Sequence, residues 1–329
     1  MAEFAINYSD IQIARSRISR FWKDATPILR WRAFEERSGI PDLRVHIKCE
    51  NLGPTGSFKI RGALNAVLAL TEQEAKRGVA THSSGNHGAA LAYAARLRGI
   101  PATIVVPKDT SQRKILLIRQ WGGTIVECEP TQSAREDALA RLVRDRGFIA
   151  IPPYDYAPVM AGQGTVADEF FDQVPDLDSL LVPIGGGGLI SGTAIAARAR
   201  RQSIRVIGVE PCGANETLRS LERGTRTPHP APATVADGLK AFVGVLTFPI
   251  IQEKVDRVVE VTDETILSMM MQCLEDLRIV VEPSSATVFA ALAKEKLKPG
   301  SCVGLILSGG NVDRTLWEQL FAGSSVHGR

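Results

Sequence analysis

Apolar residues follow two alternating rhythms along most of this chain. Short runs rich in Val, Ile and Leu predict strands at Val45–Cys49, Val79–His82, Thr103–Val106, Thr124–Cys128 and Phe148–Ile151. Between them, helical spacing of apolar positions predicts helices over Ser57–Leu70, Asn86–Leu97, Gln112–Trp121 and Ala134–Arg146. A loop at Tyr154–Pro158 and a helix at Ala161–Phe171 come next. They lead to a strand at Leu180–Pro183, a helix at Leu189–Arg201 and a strand at Arg205–Val209. Three prolines and little periodicity predict a loop between Gly224 and Gly238. The segments Arg257–Val261, Asp263–Leu277, Ser284–Lys296, Val303–Leu307 and Arg314–Phe321 complete the alternation. Such alternation predicts an α/β protein with a mostly parallel sheet covered by helices on both faces. In these sheets ligands bind beyond the carboxyl ends of the strands, so the strand-to-helix turns carry the chemistry.

Composition narrows the class. With 44% hydrophobic residues in 329, the chain can bury enough apolar surface to offset the entropy of ordering, which excludes disorder. A chain of this length is expected to split into two packed units. A net charge of +3 is too small to argue for nucleic acid or an anionic membrane surface. No run approaches the roughly 20 apolar residues that span a bilayer, and no secretory signal is visible at the N-terminus. The five cysteines are scattered, with no C-x-x-C pair, and point to reduced thiols in a cytoplasmic protein.

Four turns stand out. In the first, Glu50–Gly62, a Gly/Pro turn leads into a helix whose first turn holds Lys59. The positive end of that helix disfavours a protonated amine, and a neutral amine is what a carbonyl-attacking lysine needs. By residue statistics alone a solvated helix lysine is the plainer reading. The second, Thr81–Gly88, puts Ser83, Ser84, Asn86 and His87 at a helix start, suited to a carboxylate or phenolic oxygen. An N-cap from Ser84 or Asn86 would account for the same residues without a ligand. His82 and His87 lack metalloprotease spacing, which argues against zinc. In the third, Gly185, Gly186, Gly187 and Gly188 precede Leu189 and offer bare backbone amides to a phosphate. With Glu210 at the end of the next strand, this turn also mimics a dinucleotide fingerprint. The fourth, Leu307–Asp313, holds Ser308, which suits a ring nitrogen, a phosphate or an N-cap equally.

Taken together, the segments SFKIRGA (57–63), SSGNHGAALAYAA (83–95), AGQGT (161–165), GGGGL (185–189), VEP (209–211), ADGL (236–239), VEPSSA (281–286) and SGGN (308–311) resemble the fold type II pyridoxal-phosphate enzymes of the threonine/serine dehydratase and serine racemase group. They occur in family order over about residues 20 to 320. The resemblance implies two three-layer α/β lobes with mostly parallel sheets, of the tryptophan synthase β type, with pyridoxal 5'-phosphate between them. It places the small lobe at 75–152 and the large lobe at 1–74 and 153–329. Carried over residue by residue, Lys59 would form the Schiff base and act as general base, and Phe58 would pack near the ring. Asn86 would bond the phenolic oxygen, Gly185 to Leu189 the phosphate, and Ser308 the pyridine nitrogen. Ser83, Ser84, Asn86 and His87 would hold the substrate, with Arg135 available for a second carboxylate. Ser84 stands where racemases deliver a proton from the opposite face. Glu210, the Ala214 carbonyl and Glu216 fall where the racemase-like branch holds magnesium or calcium, with Glu in place of Asp at 216.

The implied activity is a dehydratase (ammonia-lyase) that converts L-threonine, L-serine or a related 3-hydroxy amino acid into a 2-oxo acid and ammonia. Serine racemisation and hydroxyaspartate or phenylserine dehydration are the near alternatives. Ala241–Phe242 replaces a hydroxyl residue that often faces substrate, and Tyr154 stands where racemases carry Asn, so both departures favour dehydration. A nicotinamide-dependent dehydrogenase would explain the glycine turn but would leave Lys59 and the Ser83–His87 loop without roles. A homodimer is implied, with no nucleic-acid or membrane partner. The catalytic core takes up nearly the whole length, so feedback by a regulatory domain is not expected, which points to catabolism.

Overall fold

The computed structural model describes residues 4–324. Ten strands are present among them: β1 (Ile28–Arg30), β2 (Arg44–Cys49), β3 (Val79–Thr81), β4 (Ala102–Pro107), β5 (Thr124–Cys128), β6 (Ile149–Ala150), β7 (Ser179–Pro183), β8 (Arg205–Pro211), β9 (Arg257–Val261) and β10 (Cys302–Leu307). The first helices are α1 (Tyr8–Ile18), α2 (Arg32–Ser38), α3 (Lys59–Ala69), α4 (Glu72–Arg77), α5 (Asn86–Arg98), α6 (Gln112–Gln120) and α7 (Gln132–Arg146). They are followed by α8 (Ala157–Gln173), α9 (Gly188–Arg200), α10 (Glu216–Arg223), α11 (Thr247–Lys254), α12 (Asp263–Leu277), α13 (Pro283–Leu292) and α14 (Arg314–Ser324).

The strands form two sheets, of order β1-β2-β10-β7-β8-β9 and β5-β4-β3-β6. Every pairing is parallel except β1 with β2. This is the α/β architecture with mostly parallel sheets that the alternation predicts. Parallel neighbours need long crossovers, so strands far apart in sequence become adjacent and their carboxyl ends share one edge. In the larger sheet Leu307 pairs with Cys49 and Leu305 with Leu181, which brings the turns after β2, β10 and β7 side by side. The turn after β3 comes from the other sheet.

Apolar clusters cover both faces of the larger sheet, one around Phe170, Ile184 and Ile190, the other around Trp31, Met270 and Phe289. A third joins α3 to α5 and the smaller sheet through Ile60, Leu64, Leu91, Ile104 and Ile118. Each of these side chains is shut off from solvent, a burial that contributes about 1.5–3 kcal/mol per large aliphatic residue. Lys59 therefore starts a helix whose apolar side is committed to the smaller sheet while its N-terminus touches the larger one.

Several elements are absent from the sequence reading. Helix α1 buries only Ile11, Ala14 and Ile18 among charged neighbours, so its periodicity is faint, although Asn7 and Asp10 form a capping box. The short α2, α10 and α11, and strand β1, carry too few apolar positions to show a period. Helix α8 begins at Ala157 instead of Ala161, with Pro158 in its first turn, where a missing N–H costs nothing. The chain between Gly224 and Gly238 is irregular apart from a 3-10 turn at Asp237–Leu239.

Candidate active site

The four turns meet at one place. Phe58 donates its amide to the Ser308 carbonyl at 2.9 Å, and Ser57 bridges to Gly309, so the first and fourth turns are joined. A short connector, residues 151–155, links them to the other two. The His87 ring bonds the Ile151 carbonyl at 2.9 Å, and Lys59 Nζ donates to the Pro153 carbonyl at 2.8 Å. A β-carbon on Gly186 would lie 2.3 Å from the Tyr154 ring, so the glycine turn packs directly on that tyrosine. In the sequence this stretch runs from the end of a strand at Ile151 into a loop, with Tyr154 alone singled out. In space it is the hub of the site.

Lys59 is only partly exposed, with its amine 5.1 Å from the Phe58 ring centre. Burial lowers its pKa to about 8, against the opposing pull of Glu282. His87 is neutral: burial and the nearby Lys59 hold its pKa down to about 3. With the Ile151 carbonyl claiming the Nε2 proton, the ring offers hydrogen bonding without charge.

Positive character at the second turn comes from backbone. Helix α5 has Gly85 as its N-cap and no capping side chain. Neither Ser84 nor Asn86 caps it, and among the described residues the amides of Asn86, His87 and Gly88 have no acceptor. The Ser83 and Ser84 hydroxyls make no hydrogen bond to a described residue. The Asn86 side chain reaches across to the larger sheet. It donates to Glu282 at 3.1 Å and accepts from Asn311 Nδ2 at 2.8 Å. Burial pushes the Glu282 carboxyl up to about 7.

At the third turn, none of the amides from Gly185 to Leu189 finds an acceptor among the described residues. Gly187 has φ +88°, and a β-carbon there would lie 2.7 Å from Thr247 Oγ1, so glycine is required. Thr247 Oγ1 in turn donates to the Gly186 carbonyl at 2.8 Å. Asp155 accepts from the amides of Val245, Leu246 and Thr247, which caps α11 and steadies this support. In the fourth turn, buried Ser308 pairs with Ser285 at 2.8 Å.

Other anticipated residues lie further out. Arg135 is half-buried on α7 and reaches back to the carbonyl of Thr131, the N-cap of its own helix, at 3.4 Å. Phe242 is not a bare apolar wall, because the Arg226 guanidinium stacks 4.5 Å from its ring centre and donates Nε to the Val243 carbonyl at 2.9 Å. Glu210 and Glu216 come together at the start of α10. Glu210 accepts the Thr217 and Leu218 amides at 3.0 and 2.9 Å, and burial raises its pKa to about 8. Glu216 Oε2 is buried without a partner. Among the described residues no cluster of three His, Cys, Asp or Glu is placed to hold a metal.

Sequence reasoning missed the Pro153 carbonyl, Asp155, Glu282, Ser285 and Asn311 as contributors to the site. Glu282, Ser285 and Asn311 lie inside quoted motifs, so a signal was there without a partner to give it meaning. The carbonyl of Pro153 has no sequence signal at all.

An amine with a lowered pKa, the uncapped start of α5 and the unclaimed amides of Gly185 to Leu189 make a site suited to a carbonyl group and an anion. Residues 22–309 match the pyridoxal-phosphate dependent enzymes, and the chain belongs to that family. It is 44% identical over 313 residues to a serine racemase of Dictyostelium discoideum, covering 94% of this chain and 95% of that one. It is 42% identical over 307 residues to a beta-hydroxyaspartate dehydratase of Paracoccus denitrificans, covering 93% and 96%. The structure of maize serine racemase superposes with a TM-score of 0.91 at 39% identity, covering 98% of this chain and 99% of that one. No helix among the described residues is long and apolar enough to cross a membrane. The unclaimed amides from Gly185 to Leu189 and the uncharged tendency of Lys59 fit pyridoxal phosphate, whose phosphate and aldehyde need those two features.

Proposed function

We propose that the chain is a pyridoxal-phosphate-dependent ammonia-lyase acting on L-serine, L-threonine or a related 3-hydroxy amino acid. The observation that carries this reading is the Lys59 amine, with a pKa lowered to about 8 and held by the Pro153 carbonyl beside the open end of α5. Lys59, Phe58, Asn86, Gly185 to Leu189 and Ser308 would hold the cofactor. When bound, pyridoxal phosphate supplies an aldehyde for the substrate amine and a ring that delocalises the electrons freed at Cα. The amides of α5 and the hydroxyls of Ser83 and Ser84 receive the substrate carboxylate. Lys59, as a neutral amine, accepts the Cα proton. Ser308 presents a neutral hydroxyl instead of a carboxylate, which favours elimination over transamination. Loss of the β-hydroxyl leaves an enamine that water converts into the 2-oxo acid and ammonia.

Within that class, the Arg226 guanidinium on Phe242 adds positive charge to one wall and favours an acidic β-substituent, as in hydroxyaspartate, over phenylserine. Racemisation is the second reading, favoured by the unbonded Ser84 hydroxyl at the start of α5. Glu216 Oε2, buried without a partner beside Glu210, suits a magnesium or calcium ion completed by the Ala214 carbonyl. We assign the small lobe to 75–152, which contains all four strands of the smaller sheet, and the large lobe to 1–74 and 153–329. A cytoplasmic homodimer is the expected form, and four of the five free cysteines are buried.

The test is the purified protein's visible absorbance and its products. A band that borohydride bleaches and Lys59→Ala removes is expected. So are 2-oxo acid and ammonia from a panel of L-serine, L-threonine, hydroxyaspartate and phenylserine. Predominant D-serine with little pyruvate would overturn the lyase reading in favour of the racemase.

A further inference from the structure

The motifs SFKIRGA and AGQGT each contain residues that the proposed chemistry leaves unused, and these residues meet in the interior. Arg61 grips two carboxylates at once. Its Nε and Nη2 donate to Glu50 at 2.7 and 2.8 Å, and its Nη1 and Nη2 donate to Glu169 at 3.2 and 2.8 Å. Lys48 Nζ completes a group of four charges with bonds to Glu169 at 2.5 Å, to Gln173 at 2.6 Å and to the Thr26 carbonyl at 2.8 Å. Trp22 lies over the guanidinium at 4.7 Å, and Thr165 accepts a further bond at 3.4 Å. Lys48, Glu50 and Arg61 are almost completely buried. The group pairs two basic side chains with two acidic ones. Burial pushes the Glu169 carboxyl upward, yet Arg61 and Lys48 bring it down to about 2.

We infer that this buried tetrad, together with Gln163, sets the position of the reacting amine, and that Arg61 is a positioning residue for Lys59. Helix α3 begins at Lys59 with Phe58 as N-cap and no capping side chain, so its first turn has only the local bond from the Arg61 amide to the Phe58 carbonyl at 3.0 Å. Residues two apart on a helix project to nearly opposite sides. Lys59 thus reaches the cleft while Arg61 reaches back into the fold. The remaining fixed points of that turn are tertiary. Gln163 Oε1 accepts the Gly62 amide at 3.1 Å, and the Phe58 amide is tied to Ser308. Close backbone approach supports this, because a β-carbon on Gly162 would lie 2.5 Å from the Arg61 carbonyl. Helix α8 and the end of β2 therefore act as the base-plate from which Lys59 is aimed. A surface ion pair would not serve, since water would screen it and its side chains would wander.

The inference rests on Lys59 as the reacting amine, and its test separates the two claims. In full-length cofactor-loaded enzyme, Arg61→Lys and Glu169→Gln should lower kcat by about 10–100-fold while KM stays within about twofold, as misplacement of a reacting group does. In the same variants stripped of cofactor, the pH midpoint for acylation of Lys59, read by peptide mass spectrometry, should rise from about 8 towards the ordinary 10.5 as water reaches the amine. Asp168→Asn provides the control. Asp168 neighbours Glu169 on α8 but bonds a separate network, Tyr8 and Arg15 of α1 and Arg200 of α9, so this variant should lower the melting temperature without moving kcat or that midpoint. Gln163→Met keeps all four charges and removes only the acceptor for Gly62, so it decides alone if the charged variants fail to fold. Folded variants with wild-type kcat and a wild-type Lys59 midpoint would overturn the inference. Lack of activity in the unaltered protein would instead count against the lyase reading, leaving the midpoint as an independent measure.

Discussion

Helices α1, α4, α7 and α12 each start with a capping side chain of their own, from Asn7, Thr71, Thr131 and Thr262. All four caps are exposed to solvent. Helices α5 and α9 start instead on Gly85 and Gly187, which cap nothing, and both starts face the cleft. Between these extremes, α10 and α11 take carboxylates from elsewhere in the chain, Glu210 and Asp155. The difference shows how one chain treats identical backbone groups. Where water is the neighbour, a short polar side chain fills the amides cheaply. Where a charged ligand belongs, a cap would compete with it, and the amides stay free.

The borrowed cap of α10 should give the largest effect. Glu210 has its pKa raised from 4.5 to about 8, so it is neutral in the fold at neutral pH. A raised carboxyl contributes stability that is complete below its unfolded value and is lost as pH rises through about 8. Chemical denaturation at pH 5 and pH 9 in chelator should therefore show a decline, on the order of 2–4 kcal/mol, that Glu210→Gln removes. Added magnesium or calcium should restore stability at the higher pH in the unaltered protein alone. A cation-independent curve would put α10 with the helices that need no ligand.

The open cap of α9 comes next. Gly187→Ala forces a side chain into φ +88° and against Thr247, so the cradle distorts at the phosphate position. Strain of about 1–3 kcal/mol corresponds to roughly 5–150-fold weaker binding of pyridoxal phosphate in a fluorescence titration. An unchanged affinity would mean that the open amides are not the phosphate site.

The self-capped helices mark the low end. Thr131→Ala removes the bond to the Ala134 amide and should cost about 1 kcal/mol of stability. Cofactor affinity should not change, because α7 opens onto solvent. A loss of affinity comparable to that of Gly187→Ala would erase the distinction between the two kinds of helix start.

Much of this was legible in the chain because it depends on neighbours in sequence. The strands follow from runs of buried Val, Ile and Leu, and the glycine turn from four bare residues in succession. The chemical promise of Lys59 follows from a lysine in the first turn of a helix. Helix α1 and its capping box were equally local, but the apolar stripe that would have flagged them was too thin.

What tertiary structure alone decided concerns partners more than a hundred residues apart. Asn86 meets Asn311 across 225 positions, and Arg61 meets Glu169 across 108. The sequence places His87 among residues that would hold the substrate without fixing its charge, and burial and Lys59 make it neutral. Ile151 reads as the end of a strand and Pro153 carries no signal, until their carbonyls meet the imidazole and the amine. The sequence by itself determined the strand and helix rhythm and the polar and glycine groups offered at four strand-to-helix turns, because backbone periodicity and turn chemistry act over a few residues. Charge state, orientation and the choice of which helix ends stay open were settled by the fold. Those properties depend on desolvation and on contacts that exist only once the two sheets have closed around the turns.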